Sequence, residues 1–498
     1  MFNLPADISV PKLKDVLHPA VEAHTEGWTV ALDAYDGEGG FLDGSYIWRF
    51  AREKQDEFES RASQARYHNY QQTIVDYYTR KVCSEISRET TNQELIDWLG
   101  NVDGAGTDMS TLIRRALSKA LAAGHVGLLA DKTPDVPTGP SKADERASVF
   151  VAQFLPQSIL DWRLAQDETI TSVKLLETVI PQDLIGDEDE KERILLWDQD
   201  EWVRVIGEGT DDDTVQVTRQ KTGLGLVPLV ILRPFRSARW SLIGKALIEP
   251  SLLLALYNRG SEQDNVLREQ GFSLFVVQLP ATGEVDVKKA REALGDEVGA
   301  TRAVFAYGGA TYQTPSMDVP ATQQDHQQYL IQELYRLAHI PHDLGSKDAQ
   351  TAEAIKLTHE ELEAVLSGVA SECARVEEAL VKLWCAWQSA TPEAAEALFE
   401  AAQFSVRYPE SFFEADPEVE IKTLVAAMNA VPSPTLEKVI QKQIVSLVAS
   451  SLDEETRETI DAEIDAGEAE RPDPLAALAE EAGNGFGGGA RDDEQEAA

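Results

Sequence analysis

Cysteine is scarce in this chain, with only three residues among 498. Cys83, Cys373 and Cys385 lie in helix-like sequence and without paired spacing. Disulfide frameworks and zinc sites need cysteines in closely spaced sets. The sequence therefore supports neither, and we expect the three thiols to behave as small buried hydrophobic groups.

Positive charge is also scarce. The chain has 45 Lys and Arg against 86 Asp and Glu, which gives a formal net charge of −41 at pH 7 and a pI near 4.5. Proteins that clamp the DNA backbone need basic surface, because they neutralise phosphates. The charge argues against such a clamp and agrees equally with plain solubility or a salt-rich habitat.

Long hydrophobic runs are missing too. No stretch approaches the roughly 20 apolar residues that cross a bilayer, and the N-terminal stretch lacks a basic region followed by an apolar core. We expect a protein that is made in the cytoplasm, stays soluble and binds no membrane. Its 498 residues exceed one ordinary core, so two or more packed units are expected.

Motifs for catalysis are not found in the sequence. There is no GxxxxGK[ST] phosphate loop, and Gly223 and Gly225 precede a strand, the reverse of a dinucleotide-binding loop. HEELE at His359 lacks the second histidine of a zinc protease. The three aspartates at 211–213 are compatible with a cation site but more typical of a solvated turn. We expect no enzymatic activity, no cofactor and no metal.

The first part of the chain is predicted to be mostly helical. Apolar and aromatic residues recur at steps of three to five between residues 61 and 89, which indicates a helix. The stripe consists of Tyr67, Tyr70, Ile74, Tyr77 and Val82. A second helix is predicted for residues 109–123, with Gly124 as its C-cap and a short buried strand in HVGLLAD.

Residues 148–235 change to short strands rich in β-branched and aromatic side chains, with acidic turns between them. The candidate strands are SVFVAQFL, TSVKLLETVI, RILLWDQDEWVRVIG, TVQVTRQ and VPLVILRPF. We expect them to form an antiparallel sheet that packs on the preceding helices. The fold class is therefore predicted as α+β.

Two helices are predicted to flank a small insert. The first follows residue 240, is broken once by Pro250 and ends near Gln270, and the second spans residues 321–340 with Leu330, Leu334 and Leu337 on one side. The insert is predicted to contain a strand at FSLFVVQL, a short helix at VDVKKAREALG and a strand at TRAVFAY. Both helices become polar near the insert, which suits polar neighbours and water. We predict an antiparallel pair with the insert at its tip.

The strongest periodicity follows a loop at residues 341–350. A heptad stripe predicts a helix over residues 351–387, about 55 Å long. The stripe contains Ile355, Leu362, Leu366, Val369, Cys373, Val376, Leu380, Leu383 and Trp387, with His359 as its polar member. Such a stripe is compatible with a coiled coil or with a long helix packed along a neighbour.

The C-terminal part is predicted as a strand at QFSVRYP, helices at residues 416–430 and 434–452, and a further helical turn or more at 453–466. The remaining residues, 467–498, are rich in Gly, Ala and acid, and we expect them to be disordered.

Several segments, in this order, resemble the portal proteins of tailed bacteriophages and related archaeal viruses. RASQARYHNYQQTIVDYYTRKV is similar to an early portal helix, and LSKALAAGHVGLLAD, AQFLPQSILDWRL and GLVPLVILRP are similar to parts of the wing. SLIGKALIEPSLLLALYNRGSEQDNVLREQGFSLFVVQL resembles the first stem helix and its entry into the clip. PSPTLEKVIQKQIVSLVASSLDEETRETIDAEID is similar to the crown helices. The resemblance lies in the serial order and covers residues 61–465.

The resemblance implies a multi-part portal fold with a helical and β wing, a long-helix stem hairpin, a small α/β clip, a tunnel loop and a helical crown. The implied parts are an N-terminal segment (1–60), the wing (61–240), the first stem helix (241–268), the clip (269–320), the second stem helix (321–340), the tunnel loop (341–350), the spine helix and wing return strand (351–410), the crown (411–466) and a disordered acidic tail (467–498).

The function implied is that of a non-enzymatic subunit of a ring, expected to be dodecameric, at one capsid vertex of the virion after assembly in the host cytoplasm. Its implied partners are the terminase large subunit, a head–tail connector or adaptor, the major capsid protein and double-stranded DNA that passes without sequence specificity. The candidate DNA-channel residues are His342 and Lys347 in the tunnel loop and Lys288, Lys289 and Arg291 in the clip. Each is equally compatible with a solvated surface charge. The alternatives are a metal-dependent hydrolase or nuclease, and another capsid or neck protein.

Overall fold

The computed structural model describes residue 2 and residues 8–132, 149–179, 191–207, 215–236, 241–270, 274–279, 303–307, 311–313, 318–340, 352–412, 421, 424–428, 433–448, 459–460 and 462–464. The chain divides into two compact units, Met1–Phe412 and Phe413–Ala498. The fold is α+β, as the sequence predicts.

Seven helices and two strands occupy the described residues up to position 132. They are α1 (Val10–Asp15), α2 (Pro19–Asp36), α3 (Gly40–Asp43), α4 (Gln55–Gln64), α5 (Tyr70–Val82), β1 (Ser87–Glu89), α6 (Gln93–Leu99), α7 (Met109–Ala123) and β2 (Val126–Lys132). The predicted α7 is confirmed at both ends, and so is its C-cap at Gly124, where φ is +101°.

The single helix predicted for residues 61–89 is wrong. The chain forms α4, a break, α5 and then β1, because the Asn69 side chain accepts a hydrogen bond from the N–H of Gln72 (2.8 Å) and so starts a new helix at Tyr70. Within α5, Ile74 and Val82 are buried as predicted, but Tyr78 rather than Tyr77 is fully buried.

The strands form two antiparallel sheets where one was predicted. They are β3 (Val149–Phe154), β4 (Ile159–Leu164), β5 (Ile170–Val179), β6 (Lys191–Asp198), β7 (Glu201–Ile206), β8 (Gln216–Lys221) and β9 (Leu229–Leu232). One sheet has the order β3-β2-β9 and the other β4-β5-β6-β7-β8. The segment RILLWDQDEWVRVIG is a hairpin and not one strand, since the Asp198 carboxylate accepts from the N–H groups of Asp200 and Glu201 (2.8 and 2.7 Å) and fixes a turn.

The five-stranded sheet has an apolar layer on each face, because neighbouring side chains along a strand point in opposite directions. Leu195 and Trp197 join a core with α2 and the three-stranded sheet, where Trp28 is also buried. Ile194 and Leu196 face the other way and pack with Val10 of α1. These layers hold the two sheets and the first helices in one body.

Further along, the elements are α8 (Pro250–Gln270), β10 (Leu274–Leu279), β11 (Ala303–Tyr307), β12 (Thr311–Gln313), α9 (Asp318–Leu337), α10 (Ala352–Gln388), α11 (Pro392–Ala402) and β13 (Ser405–Arg407). Helix α8 begins at Pro250 and not at residue 241, since proline suits the first turn of a helix. Strand β13 pairs antiparallel with β1. Helix α11 was not predicted, although Thr391 caps its N-terminus and Pro392 opens it.

Helix α10 is confirmed, and its heptad stripe is buried. The buried members are Leu362, Leu366, Val369, Cys373, Val376, Leu380 and Leu383. They pack along α5, α7, β2, β9 and β13 of the same chain. Trp387 is partly buried and donates from Nε1 to the Ala130 carbonyl (2.8 Å). Packing within the chain therefore accounts for this part of the stripe. The side chains of Ile355 and His359 are not among those that the structure describes.

The second unit is helical at residues 421, 424–428, 459–460 and 462–464 and in α12 (Pro434–Val448). The helix predicted for 434–452 is therefore confirmed as far as Val448. Several predicted features lie outside the described residues: the short helix of the insert, the loop at 341–350 and the tail at 467–498.

Candidate functional site: a helical hairpin and its anchor

Helices α8 and α9 pack side by side in opposite directions. Gly260 of α8 faces Gln327, whose Nε2 is 3.5 Å from the position that a Cβ on Gly260 would take. Tyr70 lines the same crevice as Leu253 near the start of α8, and it interacts with Tyr335 near the end of α9. The end of α8 and the start of α9 therefore meet at the insert, which agrees with the predicted antiparallel pair.

The insert contains a three-stranded sheet in the order β11-β10-β12. Strand β11 runs parallel to β10, with Phe275 opposite Ala303, and β12 runs antiparallel to β10, with Leu274 opposite Gln313. The first two strands were predicted, and β12 was not. A parallel pair needs a crossover connection, for which residues 280–302 provide the length.

Two polar residues of α8, Asn258 and Ser261, are buried against an N-terminal segment, residues 40–64, which we call the anchor. Asn258 is only 2% exposed. Its Oδ1 accepts from the Trp48 N–H (2.7 Å), and its Nδ2 donates to the Tyr46 carbonyl (3.0 Å). The sequence predicted polar neighbours and water around the later half of α8. The polar neighbours of Asn258 are the backbone groups of Tyr46 and Trp48 in the same chain.

Arg61 ties the anchor together and fixes it to α8. Its guanidinium makes two hydrogen bonds to the Glu53 carboxylate (2.7 and 2.8 Å), one to the Trp48 carbonyl (2.7 Å) and one to the Ser261 hydroxyl (3.3 Å). It also lies 4.8 Å from the centre of the Phe50 ring. The bonds from Arg61 hold the pKa of Glu53 below its ordinary value. A buried charge is stable only with such complete pairing.

Aromatic rings form a second contact between the anchor and α8. The Phe41 ring lies 4.2 Å from that of Tyr67 and 5.2 Å from that of Tyr257, and the Tyr257 hydroxyl donates to the Phe41 carbonyl (3.3 Å). A Cβ on Gly40 would stand 2.4 Å from the Tyr46 ring, so the close approach requires glycine. The start of the hairpin is therefore held by both hydrogen bonds and ring packing.

The near end of α9 is fixed separately. The buried Tyr78 hydroxyl of α5 donates to the Ala338 carbonyl (2.6 Å), and Leu334 and Ala338 are buried. Leu337, predicted to share the packed side with Leu334, is 40% exposed, and the chain turns after it, where His339 takes a positive φ of 51°. Both helices of the hairpin are thus attached to the helical body at their near ends.

Exposed apolar side chains concentrate on the hairpin and its anchor. Six of the eleven large hydrophobic residues that are exposed in the described part of the chain lie there. They are Leu42, Trp48 and Phe50 of the anchor, Leu267 of α8, and Tyr329 and Leu337 of α9. The hairpin and the anchor therefore contribute more than half of the exposed large apolar side chains in the described residues.

The half of α9 nearer the insert is polar but carries little charge. Gln324, His326 and Gln328 are exposed, and the His326 ring stacks on Tyr329 with 6.3 Å between centroids. Side chains of this kind form neutral hydrogen bonds without the desolvation cost of a full charge. The hairpin surface is therefore suited to contact another protein surface.

None of the predicted DNA-channel residues can be located. Lys288, Lys289, Arg291, His342 and Lys347 all lie outside the described residues, as do the three aspartates at 211–213. Within the described ranges, no group of three or more His, Cys, Asp or Glu side chains is placed to hold a metal ion. No helix in the described part of the chain is long and apolar enough to cross a membrane.

The anchor is the functional element that sequence reasoning missed. The first sixty residues add nothing to the portal resemblance, yet Tyr46 and Trp48 supply the hydrogen-bond partners of Asn258 on α8. The available signal was the stretch GEGGFLDGSYIWRF, in which glycines alternate with aromatic residues over a short distance. Closely spaced glycines of this kind indicate a tightly packed turn and not a free segment.

Of the comparisons with known proteins, the one with solved structures gives matches. No family model matches the chain, and no curated protein matches it. Among solved structures, a chain of the virion of a native gene transfer agent (GTA) particle aligns with a TM-score of 0.37 and 13% identity, over 74% of this chain and 88% of that one. A chain from the neck of the native GTA particle, computed with C12 symmetry, aligns with a TM-score of 0.37 and 12% identity over 74% and 88%. A chain from the neck of the empty particle, computed with C6 symmetry, aligns with a TM-score of 0.36 and 12% identity over 74% and 89%. TM-scores this low carry no argument about function.

Proposed function

We propose that this chain is a portal-type subunit of a virion, which assembles into a ring through which a double-stranded DNA genome enters and leaves the capsid. One observation carries the proposal: the antiparallel pair α8 and α9 is attached to an α+β body at its near ends and bears a small sheet between its far ends. This is the order in which the sequence segments resemble a portal stem and clip.

A ring explains the surface of the hairpin. Head-to-tail contacts around a closed axis cover two different faces of each copy, so both sides of a repeated element become buried. Leu267 on α8 and Tyr329 on α9 are 42% and 58% exposed in the isolated chain. We propose that neighbouring hairpins cover these groups, with hydrogen bonds from Gln324 and Gln328 of α9.

The charge of the chain suits a conduit. A wall that carries few cations releases few counterions from DNA and binds its backbone weakly, which lets a polyanion slide without sequence preference. The net charge of −41 meets this requirement. Lys288, Lys289, Arg291, His342 and Lys347 remain the proposed points of contact with DNA.

The proposed role is structural and not catalytic. The terminase large subunit would dock on the ring during packaging and a head–tail connector afterwards, with the major capsid protein around the body. We propose a dodecamer at one vertex of the virion, assembled in the host cytoplasm. The insert between α8 and α9 is the proposed docking surface for the packaging motor.

Negative-stain electron microscopy and native mass spectrometry of the purified protein test the proposal. We expect rings with a central hole and a single dominant subunit number.

The double variant L267E/Y329E should block ring formation while leaving the circular dichroism spectrum unchanged, because charged groups would be buried between copies. The matched control V217E/L226E adds the same two charges at exposed apolar residues on β8 and in the segment that follows it, and should still form rings. A monomer at every protein and salt concentration, or rings from L267E/Y329E as abundant as those of the control, would contradict it. DNA cleavage that depends on an added divalent cation would favour the hydrolase alternative.

A further inference from the structure

A basic cavity of about 510 Å³ lies away from the hairpin, between α2, α5, α7 and β3. Four of its nine lining residues are cations: Arg80 of α5, and Arg114, Arg115 and Lys119 of α7. Asp76 is the one acidic residue in its lining. On a chain with a net charge of −41, a concave surface with excess positive charge is unusual.

The arginines around the cavity are not neutralised by the chain around them. Lys119 pairs with Asp36 (2.6 Å). Arg80 donates from Nε to the carbonyl of Asp76, not to its carboxylate (3.2 Å). Arg114 and Arg115 are exposed, and among the described residues no carboxylate lies within 4.0 Å of either guanidinium. Three planar donor groups therefore face the cavity with their charge available.

Three hydroxyl-bearing side chains lie at the floor of the cavity, whose lining is otherwise largely apolar. The Thr79 and Ser118 hydroxyls lie 3.2 Å apart where α5 crosses α7, and both side chains are buried. The Tyr35 hydroxyl donates to Asp76 Oδ1 (3.0 Å), and burial raises the pKa of Tyr35. Its ring also lies 5.0 Å from the Lys119 ammonium. The three hydroxyl protons are already donated within the chain, to the carbonyls of Val75 and Arg114 and to Asp76. The guanidiniums at the rim are therefore the groups that would bind the carboxylates of a ligand.

An acidic protein segment fits this cavity better than DNA does. Double-stranded DNA needs an extended basic surface that follows two rows of phosphates, and the rest of this chain repels it. The cavity also contains Asp76 and borders Asp36, so its excess charge is small and confined to a space that holds a few side chains. Acidic side chains are abundant on the chain itself; Glu393, Glu396 and Glu400 are all exposed on α11.

We propose that this cavity receives an acidic segment from a second copy of the chain and forms an attractive contact between neighbours. This inference rests on the proposed ring. Copies that each carry a charge of −41 repel one another, so assembly needs local patches of opposite charge. The arginines at 80, 114 and 115 supply the positive side of such a contact.

Charge reversal tests the proposal. R114E/R115E should weaken self-association at least tenfold by sedimentation velocity, whereas R219E/K221E, which changes the total charge equally on exposed strand β8, should have a much smaller effect. The neutral variant R114Q/R115Q should be intermediate, and thermal melting checks that all three are folded. Equal self-association of R114E/R115E and R219E/K221E overturns the proposal but leaves the ring intact.

A second measurement separates the ligand classes. Fluorescence anisotropy with a labelled decaglutamate peptide should show binding to the wild-type protein and loss of binding to R114E/R115E, while a short DNA duplex should not bind. Binding of the duplex without binding of the peptide overturns the proposal. If the wild-type chain forms no ring, the ring proposal fails, and specific peptide binding still supports the acidic-ligand site.

Discussion

Arg88 of β1 and Glu377 of α10 form a two-point ion pair although 289 positions separate them in the chain. Nε and Nη2 of Arg88 donate to the two carboxylate oxygens at 2.6 and 2.8 Å, and Glu377 is fully buried. Arg88 also donates to the Ser110 hydroxyl (2.7 Å), and the Tyr408 hydroxyl donates to Glu377. This network joins β1, α7, α10 and the segment after β13.

Removing one partner of this pair should be costly. Arg88→Ala leaves Glu377 buried without a counter-charge, and breaking a buried pair in this way costs about 3–5 kcal/mol. Urea denaturation should show that loss in the free energy of unfolding. The control Lys382→Ala removes an exposed pair with Glu378 and should cost no more than about 1 kcal/mol. Similar losses in the two variants would contradict the prediction.

His125 should make stability depend on pH. It is fully buried beside Trp28, neither ring nitrogen has a hydrogen-bond partner within the described structure, and burial lowers its pKa to about 3, with smaller contributions from Arg233 and His24. The unfolded chain takes up a proton below about pH 6.5 and the folded chain does not. The contribution of neutral His125 to the free energy of unfolding is therefore fully present above pH 6.5. It decreases as the pH falls towards 3, by up to about 1.4 kcal/mol per pH unit.

His125→Leu should remove this dependence. The free energy of unfolding, measured at pH 7 and pH 5, should differ less in the variant than in the wild-type protein. The variant should be no less stable than wild type at pH 7, since an apolar group replaces two unpaired nitrogens. The control His326→Gln, at an exposed site, should keep the wild-type difference. An unchanged pH difference in His125→Leu would refute the assignment.

Asn258→Ala should loosen the anchor. The change leaves the Trp48 N–H and the Tyr46 carbonyl without their partner, at a cost of about 1–3 kcal/mol. Hydrogen exchange measured by mass spectrometry should become faster in peptides that contain residues 46–50. Gln324→Ala, on the exposed side of α9, is the control and should leave exchange there unchanged. Wild-type protection in Asn258→Ala would show that other contacts hold the anchor.

Two glycine substitutions should have opposite effects. At Gly124, φ is +101° and a Cβ would stand 2.4 Å from the Gly244 carbonyl oxygen, so Gly124→Ala should destabilise by at least about 2 kcal/mol. Gly368 lies exposed inside α10 with no atom within 4 Å of a Cβ position, and Gly368→Ala should stabilise by about 0.5–1 kcal/mol. Thermal unfolding measures both, and a destabilised Gly368→Ala would count against the packing described for α10.

The sequence predicted the elements that local patterns define. Helix α7 is amphipathic and ends at a glycine, and α10 repeats apolar residues along most of its length, so both were found at nearly their observed bounds. Helix α11 was missed although Thr391 and Pro392 mark its start; it has only eleven residues, and Ala402 is the one that is buried.

Long-range relationships could not be read from the sequence. Strands β2 and β9 pair across about a hundred residues, and nothing local separates them from the neighbouring five-stranded sheet. The same limit applies to the candidate site: the polar face of α8 was visible, but its partners at Tyr46, Trp48 and Arg61 were not. The two helices of the hairpin were predicted because Pro250 suits the first turn of α8, three leucines lie on one side of α9, and both helices become polar towards a shared insert.

The anchor also sets an order of events during synthesis. Trp48 leaves the ribosome 210 positions before Asn258, which is about 10–40 s at ordinary elongation rates. During that interval Arg61 and the aromatic side chains around Phe41 have no helix to cover them. The hydrogen bonds between this segment and α8 can therefore form only after α8 has been synthesised.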